Sequence, residues 1–169
     1  MSERRTIPSS EPNSTGGLGR AAHAESTADR EFVTSRLTDA PRERVFRAFS
    51  DPVHLAQWWG PTGFSSTFHE FDLRPGGAWC FVMHGPDGRN YPNENVFAQV
   101  VPPERIVFEH LSDHHFVMTI TFAAQEDKTL VGWRQVFDTA EECRRIAKFV
   151  VPANEQNLDR LAAQVLEVA

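Results

Sequence analysis

Three polar residues fall in line with apolar ones. His110 follows Ile106 and Phe108 at alternate positions of a strand-like run, and Gln135 follows Val131 and Trp133 in the same way. Asn154 precedes Leu158 and Leu161 at helical spacing. Alternation sends residues i and i+2 to one face of a strand, and i, i+4 and i+7 share a helix face. All three are therefore candidates for an interior. A buried polar group left unpartnered costs about 1–3 kcal/mol, so these groups must bond one another, water or a guest. His110 is the inward candidate whose unperturbed pKa lies near neutrality. It is the first candidate for acid–base chemistry, with Gln135 or Asn154 to polarise a carbonyl.

The same alternation selects an aromatic and sulfur-rich wall. Trp79, Phe81 and Met83 share one strand face, and Phe108, Met118, Ile120, Trp133 and Phe137 join them from neighbouring runs. Polar groups converging in an aromatic wall are the usual form of a small-molecule site. The stretch LAQWWGPTGF places Trp58 and Trp59 together just before Gly60 and Pro61, at a helix end. Consecutive helical positions point about 100° apart. One ring, assigned to Trp58, is expected in the cavity or its mouth, and its neighbour on the outside of the sheet.

Other chemistries find less support. His114 and His115 are adjacent, so a strand would point them to opposite faces, and no Cys or His cluster has zinc spacing. No metal or cofactor is implied. Cys80 lies on the strand face opposite Trp79 and Phe81, which leaves no Cys-His or Ser-His-Asp arrangement to argue. Gly76-Gly77 and the Gly85–Gly88 stretch read as turns, since neither opens a helix after a strand. Arg74 is expected to fix its turn through Asp72 or a carbonyl.

The positioning elements follow from the pattern. Residues 1–30 are poor in large apolar groups and their charges cancel, which reads as a disordered tail; residues 31–169 form the folded domain. EFVTSRL suits a first strand. Asp39 and Pro41 introduce a helix carrying Val45, Phe46 and Phe49, and Pro52 opens a short second one. About six antiparallel strands follow, separated by turns such as GPDG. Thr139 and Glu142 form a capping box for a last helix, in which Pro152 predicts a kink or a fresh start. Val151, Asn154, Leu158, Leu161, Val165 and Val168 share its inner face. Strands in a block with helices outside it make an α+β fold.

Composition narrows the partners. The 169 residues carry a net charge of −6, which argues against nucleic acid because phosphate neutralisation needs clustered Lys and Arg. No apolar run has the length of a membrane span, no secretory signal is visible, and two cysteines without CxxC spacing fit a cytoplasmic address. Thirteen Phe and four Trp stand against one Tyr, favouring a dry or ligand-lined interior.

Particular phrases carry a resemblance: APRERVFRAFSDP (Ala40 to Pro52), WWGP, DLRPGG, VPPERIVFEH, FVMTITF and NEQNLDRL (Asn154 to Leu161). Together they resemble, in order, the helix-grip domains of the START-like (SRPBCC) superfamily, and within it the AHSA type, homologues of the activator of heat-shock protein 90 ATPase. The resemblance implies a seven-stranded antiparallel sheet gripping the long last helix, with a hydrophobic pocket between them that opens near Trp58 and Trp59. It does not imply one shared reaction. The leading expectation is a binder of a small, largely apolar, aromatic or polyketide-like molecule. A cyclase- or hydrolase-like enzyme using His110 is an alternative, and a chaperone-interaction module is another. A homodimer is compatible with the chain.

Overall fold

The computed structural model describes residues 26–168. Seven antiparallel strands form one sheet: β1 (Glu31–Thr38), β2 (Ser65–Phe71), β3 (Ala78–His84), β4 (Asn90–Val101), β5 (Arg105–His110), β6 (Phe116–Gln125) and β7 (Lys128–Phe137). Their spatial order is β1-β7-β6-β5-β4-β3-β2, so the chain runs as a meander from β2 to β7 and only β1 joins out of sequence. Register shifts interrupt β2 between Phe68 and Glu70 and β4 between Phe97 and Gln99. Such bulges bend a strand and increase its twist. The α+β helix-grip architecture is the one expected.

Three helices cover one face: α1 (Arg42–Ser50), α2 (Pro52–Trp58) and α3 (Ala140–Gln164). In α1, Val45, Phe46, Ala48 and Phe49 are buried. Its start differs from the expected one. Pro41 occupies the N-cap position without a side-chain cap, while Asp39 pairs with Lys128 at 3.0 Å. Asp51 caps α2 by accepting from the Val53 amide at 2.9 Å, with Pro52 supplying a pre-set first turn. Trp59 ends α2, and Gly60 follows at φ 105°, a left-handed conformation that costs glycine little.

The last helix is one piece. Pro152 lies within α3 and faces solvent, where the carbonyl it leaves without an intrahelical donor can reach water. The expected fresh start is absent, the missing bond falling on the wet side. Thr139 Oγ1 accepts from the Glu142 amide at 3.2 Å, which is half of the capping box. The Glu142 carboxylate instead meets His114 Nδ1 at 2.6 Å. The inner face also differs: Cys143, Ile146, Asn157, Leu158 and Leu161 are buried, whereas Val151 is 45% exposed. Val165 and Val168 are buried just beyond the helix.

Two latches fix α3. Arg36 on β1 bonds Glu155 at 2.9 Å and also Asp159, and Thr34 donates to Glu155. At the other side Arg160 reaches the α2–β2 connection: Nη1 donates to the carbonyls of Gly60 at 2.9 Å and Pro61 at 3.0 Å, and Nη2 to that of Gln57 at 3.1 Å. The main core lies under α1, α2 and the end of α3. A smaller cluster of Phe137, Cys143 and Ile146 lies under the start of α3. Most of the expected tail lies outside the described residues, but Thr27 to Arg30 form a turn, and Arg30 Nη1 donates to the Phe137 carbonyl at 2.6 Å. Arg30 is thereby tied to the end of β7. Among the described residues no helix is long and apolar enough to cross a membrane.

Candidate functional site

Strand register assembles the site. Trp79 pairs with Asn95, Asn95 with His110 and His110 with Phe116, so these four stand in one row across β3 to β6. The next row runs Phe97, Phe108, Met118 and Gln135, and a third runs Ile106, Ile120 and Trp133. Opposite partners in antiparallel strands share a face. The rows therefore bring His110, Gln135 and Trp133 to the concave side, where α3 lays Ala153, Asn154 and Asn157 over them.

Between sheet and helix lies a partly enclosed cavity of about 140 Å³. Of the expected site residues, Phe81, Met83, Phe108, His110, Met118, Trp133, Gln135 and Asn154 line it. Trp79 and Ile120 do not. With Phe108 and Trp59 they surround a second hollow of about 10 Å³ deeper in the core. Leu158 is fully buried among core residues and Phe137 in the smaller cluster, so both serve packing.

The tryptophan doublet divides differently from expectation. Trp58 is 1% exposed and sits between helices: its Nε1 donates to the Ala48 carbonyl at 2.9 Å and its ring meets Phe49 edge-on. Trp59 is the ring in the cavity wall, stacked on Trp133 at 5.5 Å and touching Trp79 and Phe108. Neither lies outside the sheet. The roles swap because α2 stops at Trp58. Trp59 leaves the helix with extended backbone (φ −65°, ψ 127°), and the 100° step no longer governs its direction.

The polar groups are largely paired. His110 Nδ1 lies 2.8 Å from Asn95 Oδ1, and Asn95 Nδ2 donates to the Trp79 carbonyl at 3.1 Å. With the Asn95 amide so oriented its oxygen accepts, which places a proton on His110 Nδ1 in the neutral ring. Burial pushes the His110 pKa down to about 4, and the nearby Asp113 charge pulls weakly the other way. Asn154 Nδ2 donates to Gln135 Oε1 at 3.0 Å. Asn157 Oδ1 accepts from the Gly60 amide at 3.1 Å, tying the cavity rim to α3. Among the described residues the Nε1–H of Trp133 is fully buried and meets no protein acceptor. The Trp79 indole N–H is also without one.

Asn93, Asn95, Phe116 and Asn157 belong to this site and were not singled out by sequence, and Trp59, expected outside the sheet, joins them. Asn95 carried a legible signal, since it alternates with Asn93 and Phe97 along β4. Asn157 was hidden because one turn of α3 offers Asn154 and Asn157 equally. The wall is thus more polar than the apolar pocket expected. Carboxylate–imidazole pairs lie outside the cavity: His115 bonds Glu109 at 2.6 Å and Asp138 at 2.7 Å, and His114 bonds Glu142. Arg74 meets Asp72 at 2.7 Å, fixing its turn as expected.

The fold is found in known proteins. A protein from Chromobacterium violaceum is 30% identical over 79% of this chain and 95% of its own, with a TM-score of 0.68. A protein from Arthrobacter aurescens superposes with a TM-score of 0.78 at 22% identity, covering 86% of this chain and 91% of its own. The AHSA1 protein from Silicibacter pomeroyi reaches a TM-score of 0.66 at 21% identity over 80% of this chain and 97% of its own. No curated protein matches in sequence. A family model matches residues 39–165, which takes in α1 through the last turn of α3, and by that match the chain belongs to the family described as activator of Hsp90 ATPase homolog 1-like protein.

Proposed function

We propose that the protein binds a small, uncharged molecule in the cavity between the sheet, the end of α2 and α3. The observation that carries this reading is the cavity itself, walled by the rings of Trp59, Phe108, Phe116 and Trp133, with the Gln135 side-chain amide among them and its N–H groups bonded to no acceptor among the described residues. Leaving such a group unmet costs about 1–3 kcal/mol, which a guest with an acceptor removes. The volume suits a single ring, since a cavity of about 150 Å³ accommodates benzene. A polyketide-sized molecule would have to extend past the rim. Ligand-observed NMR with a collection of neutral one-ring compounds tests the reading. Binders are expected for the wild type and are lost on Ala153→Phe, which fills the cavity from α3. Binding that survives in a folded Ala153→Phe protein would move the site elsewhere.

A catalytic use of the same cavity has one observation on its side. His110 is a neutral base at pH 7 with its Nδ1 proton held by Asn95. No carboxylate stands behind it, so the imidazolium formed on taking a proton would lack the partner that strengthens such bases. Turnover of an identified substrate that persists in His110→Phe would remove this reading.

A further inference from the structure

We infer that the guest is a flat cyclic amide, a lactam-type ring whose N–H and C=O lie side by side. The inference rests on the proposed binding function and specifies its chemistry.

Charge excludes the first alternatives. No Asp, Glu, Lys or Arg side chain lines the cavity, and His110 is neutral at pH 7. An ion would be buried there without a counter-charge, a situation proteins avoid. Shape narrows the rest. The Trp59 and Trp133 rings lie 28° from parallel, and the His110 ring lies 17° from that of Phe116 at 4.5 Å. Stacked rings such as these offer flat walls.

The hydrogen-bonding complement decides the class. In the Asn154–Gln135 bond one donor and one acceptor are consumed. Asn154 Oδ1 and the Gln135 Nε2 group remain, one acceptor and one donor on two residues that both line the cavity. With the two amides oriented as this bond requires, the free acceptor stands on α3 and the free donor on β7. A cis-amide edge matches the pair, with N–H to the acceptor and C=O to the donor. A plain hydrocarbon ring would leave both groups unmet.

The test compares four probes of similar size on the wild-type protein: 2-pyridone, N-methyl-2-pyridone, toluene and benzoate. Affinities come from titrations followed by ¹H–¹⁵N spectra, with the Trp133 indole resonance identified by its loss in Trp133→Phe. The expected result is that 2-pyridone shifts the Trp133 indole signal and binds at least tenfold more tightly than the other three. In Asn154→Ala the preference for the N–H over the N-methyl compound disappears. Equal affinity for the two pyridones, or a preference for toluene or benzoate, overturns the lactam assignment while leaving a binding cavity. Failure of all four probes overturns it too. If, in addition, the wider set of neutral rings gives no binder sensitive to Ala153→Phe, the binding function falls with it.

Discussion

His110 Nδ1 lies 2.8 Å from Asn95 Oδ1, across a pair of strands whose register sets the two residues opposite each other. The pairing keeps a buried imidazole satisfied in its neutral form, and it has a signature in pH. The folded-state pKa is about 4, whereas an unfolded histidine titrates near 6.5. Between those values the unfolded chain binds more protons, so stability is full above about pH 6.5 and declines as the pH falls towards 4. Denaturant midpoints from pH 7.5 to 4.5 should fall for the wild type and fall less in His110→Phe. A His110 resonance titrating near 6.5 in the folded protein would contradict the burial argument.

His115 is expected to act in the opposite sense. Its bonds to Glu109 and then to Asp138 hold its pKa above the ordinary value, so its contribution is present below about pH 6.5 and is lost as the pH rises through the folded-state pKa. The ring is more than a third exposed, and solvent and salt screen such pairs. His115→Gln should therefore flatten the alkaline side of the stability profile by a small amount that shrinks further in 0.5 M salt. A change of equal size at pH 5 and pH 8.5 would show that the charges play no part.

The two adjacent tryptophans should separate stability from binding. Trp58→Phe removes the bond to the Ala48 carbonyl and part of a core ring, with an expected loss of about 1–3 kcal/mol and unchanged affinity for cavity ligands. Trp59→Phe alters the cavity wall directly and should change ligand affinity several-fold. Denaturation and NMR titration of both variants give the comparison. Equal effects on binding would mean that the doublet acts as one unit.

Gly77 is required for a different reason from Gly60. A Cβ placed on it would come within 1.9 Å of the Asp72 carbonyl oxygen, in the turn where the Gly76 amide bonds the Phe97 carbonyl at 2.7 Å and the Phe97 amide bonds Gly77 at 2.9 Å. The contact is backbone and cannot rotate away. Gly77→Ala should cost about 3 kcal/mol, the upper end for overpacking. Gly76→Ala meets no neighbour and should cost less, through its positive φ of 82° alone.

Sequence made the scaffold legible because two periods dominate it. Alternation in β3, β5, β6 and β7 placed Phe81, Phe108, Met118, Trp133 and Gln135 on the face where they stand. What it could not convey is how far along that face the cavity reaches. Trp79 and Phe81 share one strand face, yet Phe81 lines the cavity and Trp79 closes around the deeper hollow, because α2 and Trp59 divide that face. Residues at element ends were misread for a similar reason. Trp59 and Asp39 sit where helical geometry has stopped or not begun, so periodicity assigns them no direction. Pro152 was read from its chemistry without its exposure, which decides whether a helix tolerates it.

The Arg160 guanidinium, held by the carbonyls of Gln57, Gly60 and Pro61, makes the mouth of the cavity move with the final helix. Asn157 adds a second tie to the same loop. For the guest proposed above, association and release would depend on how often this joint comes apart, giving a long residence time even at modest affinity. Exchange rates, more than equilibrium constants, would bear the mark of a single arginine that never touches the guest.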